Sequence, residues 1–124
     1  MFEILFYKKE DGTSEIINYL DFLKQKSETD KKLRIQRNKI LAYIAALSEK
    51  GSALGAPFVK HIDGDIWELR PLNNRIFYFY WKENTYVLLH FFIKKSQKTP
   101  RKELETAKRN LHDWIERNDN HERC

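Results

Sequence analysis

The hydrophobic and polar residues of the chain follow two different periods, and each period predicts one type of element. Residues 2–8 alternate and carry β-branched and aromatic side chains, which predicts a first strand. Apolar residues at helical spacing then predict a helix that Thr13 or Ser14 caps and that runs to about Lys26. A second stripe of the same spacing follows directly, so the two helices should form a helical hairpin.

The cap of the second helix is Thr29 or Asp30, and a loop rich in small residues follows at 51–57. Beyond it the chain returns to strand-like composition. Three strands are expected in sequence, with Asn73 and Asn74 able to adopt the left-handed angles of the turn after the first of them. They occupy residues 65–72, 75–82 and 85–95, with the short segment FVKHI just before them.

Pro100 can open a last helix, because proline is tolerated in the first helical turn. Apolar side chains spaced 3, 4 and 3 residues apart give this helix an amphipathic pattern. They are Leu104, Ala107, Leu111 and Trp114.

This order, β-α-α-β-β-β-α, predicts an α+β fold: an antiparallel β-meander with an N-terminal strand, a two-helix hairpin packed on the sheet and a C-terminal helix. The helices should cover one face and leave the other face, or an edge, open for binding. Residues 1–118 are expected to form one domain, with a flexible tail at 119–124. Core positions on the strands are expected at Trp67, Leu69, Leu89, Phe91 and Ile93.

The composition of the chain indicates the cellular compartment in which this domain works. The chain has 124 residues and one cysteine, Cys124, which cannot staple the fold and suits a reducing compartment. The N-terminus lacks the basic start and long apolar run of a signal peptide, and no apolar run approaches the roughly 20 residues of a membrane helix. We therefore expect a cytoplasmic protein that has no membrane partner.

The distribution of charge is more informative than the net charge of +5. Lys+Arg and Asp+Glu balance at 11 each in residues 1–69, whereas residues 70–109 hold 10 against 3. A local basic excess can form a patch that attracts phosphate, which the same charge spread evenly cannot.

Candidate site residues cluster around the predicted hairpin. Glu68 and Arg70 share one face of a strand, and Arg75 follows directly after the turn. Two guanidinium groups this close either pair with Glu68 as an ordinary cross-strand ion pair or hold a phosphate between them. Lys94 and Lys95 end the last strand, where lysines can also be a solvated edge.

Other types of chemistry have weaker support in the sequence. The four histidines show no recognisable ligand spacing, so no metal or other cofactor is expected. No glycine-rich phosphate loop or nucleophile motif is present. The aromatic run from Phe77 to Trp81, interleaved with basic residues, could stack bases, although alternate members would be core.

Two motifs then resemble a known family. The segments ELR…RIFYF and LLHFFIKKSQKTP, within Trp67 to Pro100, resemble RelE-superfamily toxins, most closely the HigB branch related to phage-derived proteins. The resemblance implies the toxin of a type II toxin–antitoxin system: a metal-independent mRNA interferase, often ribosome-associated. It also implies a HigA-like antitoxin with a helix-turn-helix domain, which alone would contact operator DNA.

The resemblance assigns roles by position. Arg70 and Arg75 match the arginines beside the turn, and Lys94 and Lys95 match the basic residue on the scissile phosphate. Glu68 departs from the RelE pattern and is closer to the HigB form. The general base stays open among Lys94, Lys95, Lys98 and Glu68, since a crowded lysine can lose its proton near neutral pH. Further RNA contacts are expected from Lys60, His90, Lys98, Arg101 and Lys102.

Two alternatives to the RNase prediction use the same basic patch. A toxin of the same fold that resembles the ParE branch would inhibit DNA gyrase by binding, without cleaving RNA. A general nucleic-acid-binding module would bind through the patch and the aromatic run, and would not stop growth when expressed alone.

Overall fold

The computed structural model describes the backbone of residues 1–122 and the side chains of residues 1–118. Its elements follow the predicted order, and the α+β class is confirmed. They are β1 (Glu3–Phe6), α1 (Glu15–Lys26), α2 (Lys31–Lys50), a 3₁₀ turn (Gly51–Ala53), β2 (Val59–Asp63), β3 (Ile66–Leu69), β4 (Asn74–Lys82), β5 (Thr85–Ile93) and α3 (Arg101–Glu122).

The five strands form one sheet in the order β1-β5-β4-β3-β2. Strands β2 to β5 are an antiparallel meander, and β1 lies parallel to β5 at the edge. The segment FVKHI, which the sequence left without a definite assignment, supplies most of β2 and pairs with β3. The long β4–β5 pair is therefore central, and its ends at Asn74 and Ile93 lie side by side.

The two-helix hairpin begins at side-chain caps that the sequence indicated. Ser14 accepts a hydrogen bond from the Ile17 amide, and Asp30 accepts one from Leu33, so these two residues start α1 and α2. Both helices pack on one face of the sheet. Their buried residues Leu23, Ile40 and Leu47 meet strand residues on that face.

The other face is covered as well, which corrects the expectation of an open face. The buried α3 residues Ala107 and Leu111 pack on Phe77, Phe79 and other apolar strand residues. The predicted stripe of α3 is confirmed, since Leu104 and Trp114 join the same cluster. Because both faces are occupied, a binding surface must lie at an end or an edge of the sheet.

Two of the expected core positions are wrong. Leu69 and Leu89 are buried and Phe91 packs against the core, but Trp67 is 40% exposed and Ile93 is 50% exposed. The register between β4 and β5 shifts between Phe77 and Tyr78, where β5 carries one extra residue. The bulge turns Leu89 and Phe91 to opposite faces of the sheet, which the expected alternation did not allow. Ile93 shares the face of Phe91 but is the last residue of β5, where it is exposed.

Among the described residues, no helix is long and apolar enough to cross a membrane. Helix α3 continues to Glu122. The tail predicted at 119–124 falls where side chains, and for the last two residues also the backbone, lie outside the described part of the chain.

Candidate functional site

The turn between β3 and β4 brings the two predicted arginines together. Leu72 adopts a left-handed backbone conformation with φ of 57°, and the Asn74 amide donates to the carbonyl of Pro71 over 3.0 Å. The turn spans residues 71–74, where the sequence predicted it, but its left-handed residue is Leu72 rather than Asn73 or Asn74. Asn74, which closes the turn, is also the first residue of β4.

Asn74 fixes this turn to the helical hairpin. It is 2% exposed. Its side-chain amide donates to Oε1 of Gln36 on α2 over 2.6 Å, and its Oδ1 accepts from the Tyr19 hydroxyl of α1 over 3.0 Å. A buried amide with both ends satisfied holds the start of β4 in one position. The side chain of Arg75, the next residue, is therefore attached to a backbone that is held in place.

The guanidinium of Arg75 folds back over the turn. Its Nη1 donates to the carbonyls of Leu72 at 2.6 Å and Asn74 at 2.9 Å. Its Nε lies 3.7 Å from Oε1 of Glu68. Burial lowers the pKa of Arg75 from its usual value, although Glu68 opposes this change. Among the described residues, Nη2 has no acceptor, so one end of the fork remains available.

Glu68 lies beneath the two arginines and is only 1% exposed. Its Oε1 is 3.5 Å from Nε of Arg70 as well as 3.7 Å from Nε of Arg75. Within the described part of the chain, neither Glu68 oxygen and neither arginine Nε makes a hydrogen bond, so attraction between charges holds this group together. Burial raises the pKa of Glu68, against the opposing effect of Arg75, Lys94 and the other nearby cations.

Lys94 completes the group from the end of β5. Its amide donates to the carbonyl of Asn73 over 2.8 Å, which ties the loop after β5 to the arginine turn. Burial lowers the pKa of the Lys94 ammonium, and Arg75 and Arg70 lower it further, while Glu68 raises it. Its environment therefore favours the neutral amine more than water does.

These groups surround an open concavity of about 480 Å³, which we call the basic concavity. Four of its lining residues are cationic, and one carboxylate lies below them, so the positive charge exceeds the negative charge. The lining residues are Arg70, Asn73, Arg75, Lys94, Lys95, Ser96 and Gln97.

Three of the lining residues were missed as site residues. Asn73 had been considered only as a turn residue, and Ser96 and Gln97 only as part of the KKSQKTP motif. Ser96 and Gln97 follow the last strand on the same side as Asn73 and the arginine turn, because Asn74 pairs with Ile93. An expectation of that pairing would have drawn attention to these polar side chains.

The predicted RNA contacts divide into two groups. Lys60 lies directly across from Glu68 on β2, where it is exposed and lowers the pKa of that carboxyl. Lys98, Arg101 and Lys102 are exposed on the following loop and the start of α3, but they do not line the basic concavity. Arg101 forms an ion pair of 3.4 Å with Glu105 of its own helix.

His90 is buried and lies in a separate group with Glu15, which is half exposed, and Glu103, and we call this group the His90 cluster. Its Nε2 is 3.1 Å from Oε1 of Glu103, and its Nδ1 is 3.8 Å from Oε2 of Glu15. The structure thus places His90 between the starts of two helices, outside the basic concavity. Among residues with described side chains, no three or more His, Cys, Asp or Glu residues are arranged so that they could hold a metal ion.

The aromatic run of β4 is mostly core. Phe77, Tyr78 and Phe79 are buried, and Trp81 packs edge-to-face on Trp114 of α3 with 5.5 Å between ring centroids. Only Tyr80, at 47% exposure, presents a large part of its ring to solvent. A base-stacking surface along this strand therefore lacks most of the rings that the sequence offered for it.

A family model described as phage derived protein Gp49-like (DUF891) matches residues 27–112, which is more than half of the chain and includes the whole basic concavity. The chain belongs to this family. The Gp49-like family is a RelE-like toxin family, which implies pairing with an antitoxin in general terms. No curated protein matches the chain at a significant level.

Proposed function

We propose that this Gp49-like protein is a toxin that cleaves mRNA, and that the basic concavity is its active site. One observation carries the proposal: Arg70, Arg75, Lys94 and Lys95 converge on one open concavity. The phosphodiester gains negative charge in the transition state of cleavage. Cations that are already in position stabilise this charge most where the site is partly desolvated.

Among the proposed phosphate-binding groups, Arg75 has the side chain that is most firmly held in position before the substrate binds. Hydrogen bonds to Leu72 and Asn74 and the attraction of Glu68 fix its guanidinium before substrate arrives. A fixed cation loses little side-chain entropy on binding, and the free Nη2 can donate to a phosphate oxygen. Glu68 acts here as a positioning residue, since its carboxylate is buried beneath the arginine that would meet the RNA.

Lys94 is the group we assign to proton transfer. In the proposed step the 2′-oxygen of the RNA attacks the adjacent phosphorus and gives its proton to the neutral amine of Lys94. The bond from phosphorus to the 5′-oxygen breaks, and that oxygen takes a proton from water. The products are a 2′,3′-cyclic phosphate and a 5′-hydroxyl. Burial and the neighbouring cations lower the pKa of Lys94, which supports this role.

The same geometry supports an action on the ribosome. Among the described residues, the lining of the basic concavity includes no carboxylate and no imidazole. Such a site can stabilise charge, but it has little acid–base equipment and no deep groove to align RNA. A ribosome that presents the mRNA backbone in one conformation would supply the alignment.

The partner that we propose is an antitoxin with a helix-turn-helix domain, as in the HigB branch that the motifs resemble. Operator DNA would then be bound by the antitoxin rather than by the basic concavity. Expression of the toxin with the protein encoded by the adjacent reading frame tests this pairing. Growth arrest by the toxin alone, relieved by that neighbour, is the expected result.

Primer extension on an mRNA translated in a purified system tests the enzymatic proposal. Wild-type protein should produce discrete 3′ ends, and Arg75→Ala should reduce them by about a hundredfold or more. Arg109→Ala is the matched control, because Arg109 is an exposed arginine on α3 and does not line the basic concavity. Its cleavage should equal that of the wild type.

The proposal that the basic concavity is the active site would be wrong if Arg75→Ala cleaves as well as the wild type, with circular dichroism showing that both proteins are folded. No cleavage with or without ribosomes would remove the RNase proposal. A parallel supercoiling assay then decides whether inhibition of gyrase, the ParE-like activity, takes its place.

A further inference from the structure

A second concavity lies away from the basic one, at the opposite end of β3. Its volume is about 500 Å³, within the usual range of small-ligand sites. It is bounded by the β2–β3 turn, the 3₁₀ turn after α2 and the N-terminal residues. Aromatic rings make up half of its lining, and we call it the aromatic pocket. The residues are Phe2, Gly51, Ser52, Leu54, Gly64, Asp65, Trp67, Tyr78, Tyr80 and Tyr86.

The rings of the aromatic pocket are arranged around Tyr86. Phe2, Tyr78 and Tyr80 each meet Tyr86 at steep angles of 62°, 71° and 75°, with centroids 5.4, 5.7 and 5.2 Å apart. Trp67 adds a fifth ring at the rim, where both it and Tyr80 are partly exposed. Tyr78 and Tyr86 are buried at the base of the concavity, so Trp67 and Tyr80 present most of its exposed ring surface.

The N-terminal wall of the aromatic pocket is fixed by backbone contacts. The Phe2 amide donates to the carbonyl of Ser48 over 2.7 Å, and the Ser48 hydroxyl donates to the carbonyl of Phe2 over 2.6 Å. The Phe2 ring lies directly against Gly51, where φ is 54° and a Cβ atom would collide with the ring. The pocket is thus a built feature of the fold rather than a gap between loops.

The charge of the aromatic pocket has the opposite sign to that of the protein. Asp65 is its one charged lining residue among those the structure describes, in a chain of net charge +5. Within the same described residues, Asp65 has no ion-pair partner, whereas its neighbour Asp63 pairs with Lys108 over 2.7 Å. A polyanion such as RNA would be repelled here.

We propose that the aromatic pocket binds an organic cation, an alkylated ammonium or a guanidinium group. Ring faces carry negative potential and attract a cation whose shell is apolar, and Asp65 supplies a full opposite charge at the rim. The source is either a small free cation or the arginine or lysine side chain of a partner protein. This binding is independent of the RNA chemistry proposed for the basic concavity.

Titration of ¹⁵N-labelled full-length protein with tetramethylammonium or N-ethylguanidinium chloride tests the proposal. The indole N–H signal of Trp67 should shift in a saturable manner. The signals of Trp81 and Trp114 serve as internal controls, because both indoles pack in the cluster on the other face of the sheet. Neopentyl alcohol is the uncharged counterpart of tetramethylammonium, and N-ethylurea is that of N-ethylguanidinium. Each should bind roughly tenfold more weakly than the matching cation.

Two variants sharpen the test without disturbing the core. Asp65→Asn and Tyr80→Leu change exposed residues and should each weaken cation binding by roughly fivefold or more. Asp21→Asn, which removes an exposed carboxylate of α1 outside the pocket, should leave the affinity unchanged. A blocked Gly-Arg-Gly peptide that binds more tightly than N-ethylguanidinium would identify a side chain of a partner as the source. The reverse order would identify a free cation.

Three results would overturn the proposal. They are the absence of saturable shifts at Trp67, equal affinity for the cations and their neutral isosteres, and saturable binding of a short single-stranded RNA at Trp67. The last result would make the aromatic pocket a base-stacking site.

Discussion

The basic concavity, which lies over Glu68 of β3, and the His90 cluster at β5 are two charged groups of opposite composition. Glu68 and His90 both pair with Phe77, from either side of β4, so they stand in one row across the sheet. Around Glu68 a single carboxylate faces several cations, at 3.5 and 3.7 Å from two of them. Around His90 a single imidazole faces two carboxylates, the nearer at 3.1 Å.

The surroundings of the two groups differ as well. The His90 cluster is closed by the first turns of α1 and α3, so its contacts join three elements of the fold. The group over Glu68 opens into the basic concavity, and its positive charge exceeds what the protein itself neutralises. Excess positive charge suits the basic concavity to a ligand of the opposite sign, whereas the carboxylates of the His90 cluster have cationic partners within the protein, since Glu15 also pairs with Lys9 over 2.9 Å.

The largest effect is expected from Lys94→Arg, which keeps the charge of the basic concavity but removes a group able to release its proton. Cleavage in the primer-extension assay should fall by about a hundredfold or more. Lys95→Arg should retain most activity, because the proposed mechanism uses only the charge of Lys95. The wild-type rate should rise with pH until Lys94, whose pKa is lowered by burial, is neutral. A Lys94→Arg variant with wild-type rate and pH profile would contradict the proton-transfer role.

Glu68→Ala should have the next largest effect, on stability. It leaves two arginines without their counter-charge and opens a void in the sheet, which should lower the free energy of unfolding by about 2 kcal/mol in urea titrations. The loss is smaller than for an enclosed ion pair because Arg70 is 31% exposed. Glu49→Ala, at an exposed glutamate of α2, should change it by less than about 0.5 kcal/mol. Equal effects of the two variants would show that Glu68 holds nothing in place.

A double-mutant cycle on the His90 cluster should give a smaller energy. His90→Asn and Glu103→Gln, alone and together, are expected to show a coupling of about 1 kcal/mol in the free energy of unfolding. RNA cleavage should not depend on this coupling, because His90 lies outside the basic concavity. If the His90→Asn protein is folded but cleaves RNA much more slowly, the conclusion that the His90 cluster takes no part in cleavage is wrong.

The smallest effect concerns the pH dependence contributed by Glu68. Its pKa is raised by burial above the ordinary value of 4.5, so the folded protein holds this proton at a pH where the unfolded chain has lost it. The stabilising contribution is complete below the unfolded pKa and is lost as the pH rises through the folded one. Between pH 4 and pH 7 the wild type should lose stability relative to Glu68→Gln in urea titrations. A constant difference would show that the cations offset burial fully.

Local patterns in the sequence were sufficient for the order of elements and for part of the candidate site. The apolar stripes predicted α1, α2 and α3, because the helical period depends only on neighbours along the chain. Arg70 and Arg75 lie together because a hairpin turn joins residues close in sequence. Residues 58–62 were harder to assign, since a short edge strand is defined by its partner β3 more than by its own composition.

The tertiary structure alone decided which faces are covered, how deep each charge lies and what meets at the ends of the strands. The bulge between β4 and β5 turned Leu89 and Phe91 to opposite faces of the sheet, although the predicted alternation placed them on one face. The burial of Glu68 and the enclosure of His90 depend on elements that pack across the sheet from distant parts of the chain. A sequence determines local periods directly, but burial and electrostatic environment arise from non-local contacts, which no single stretch contains.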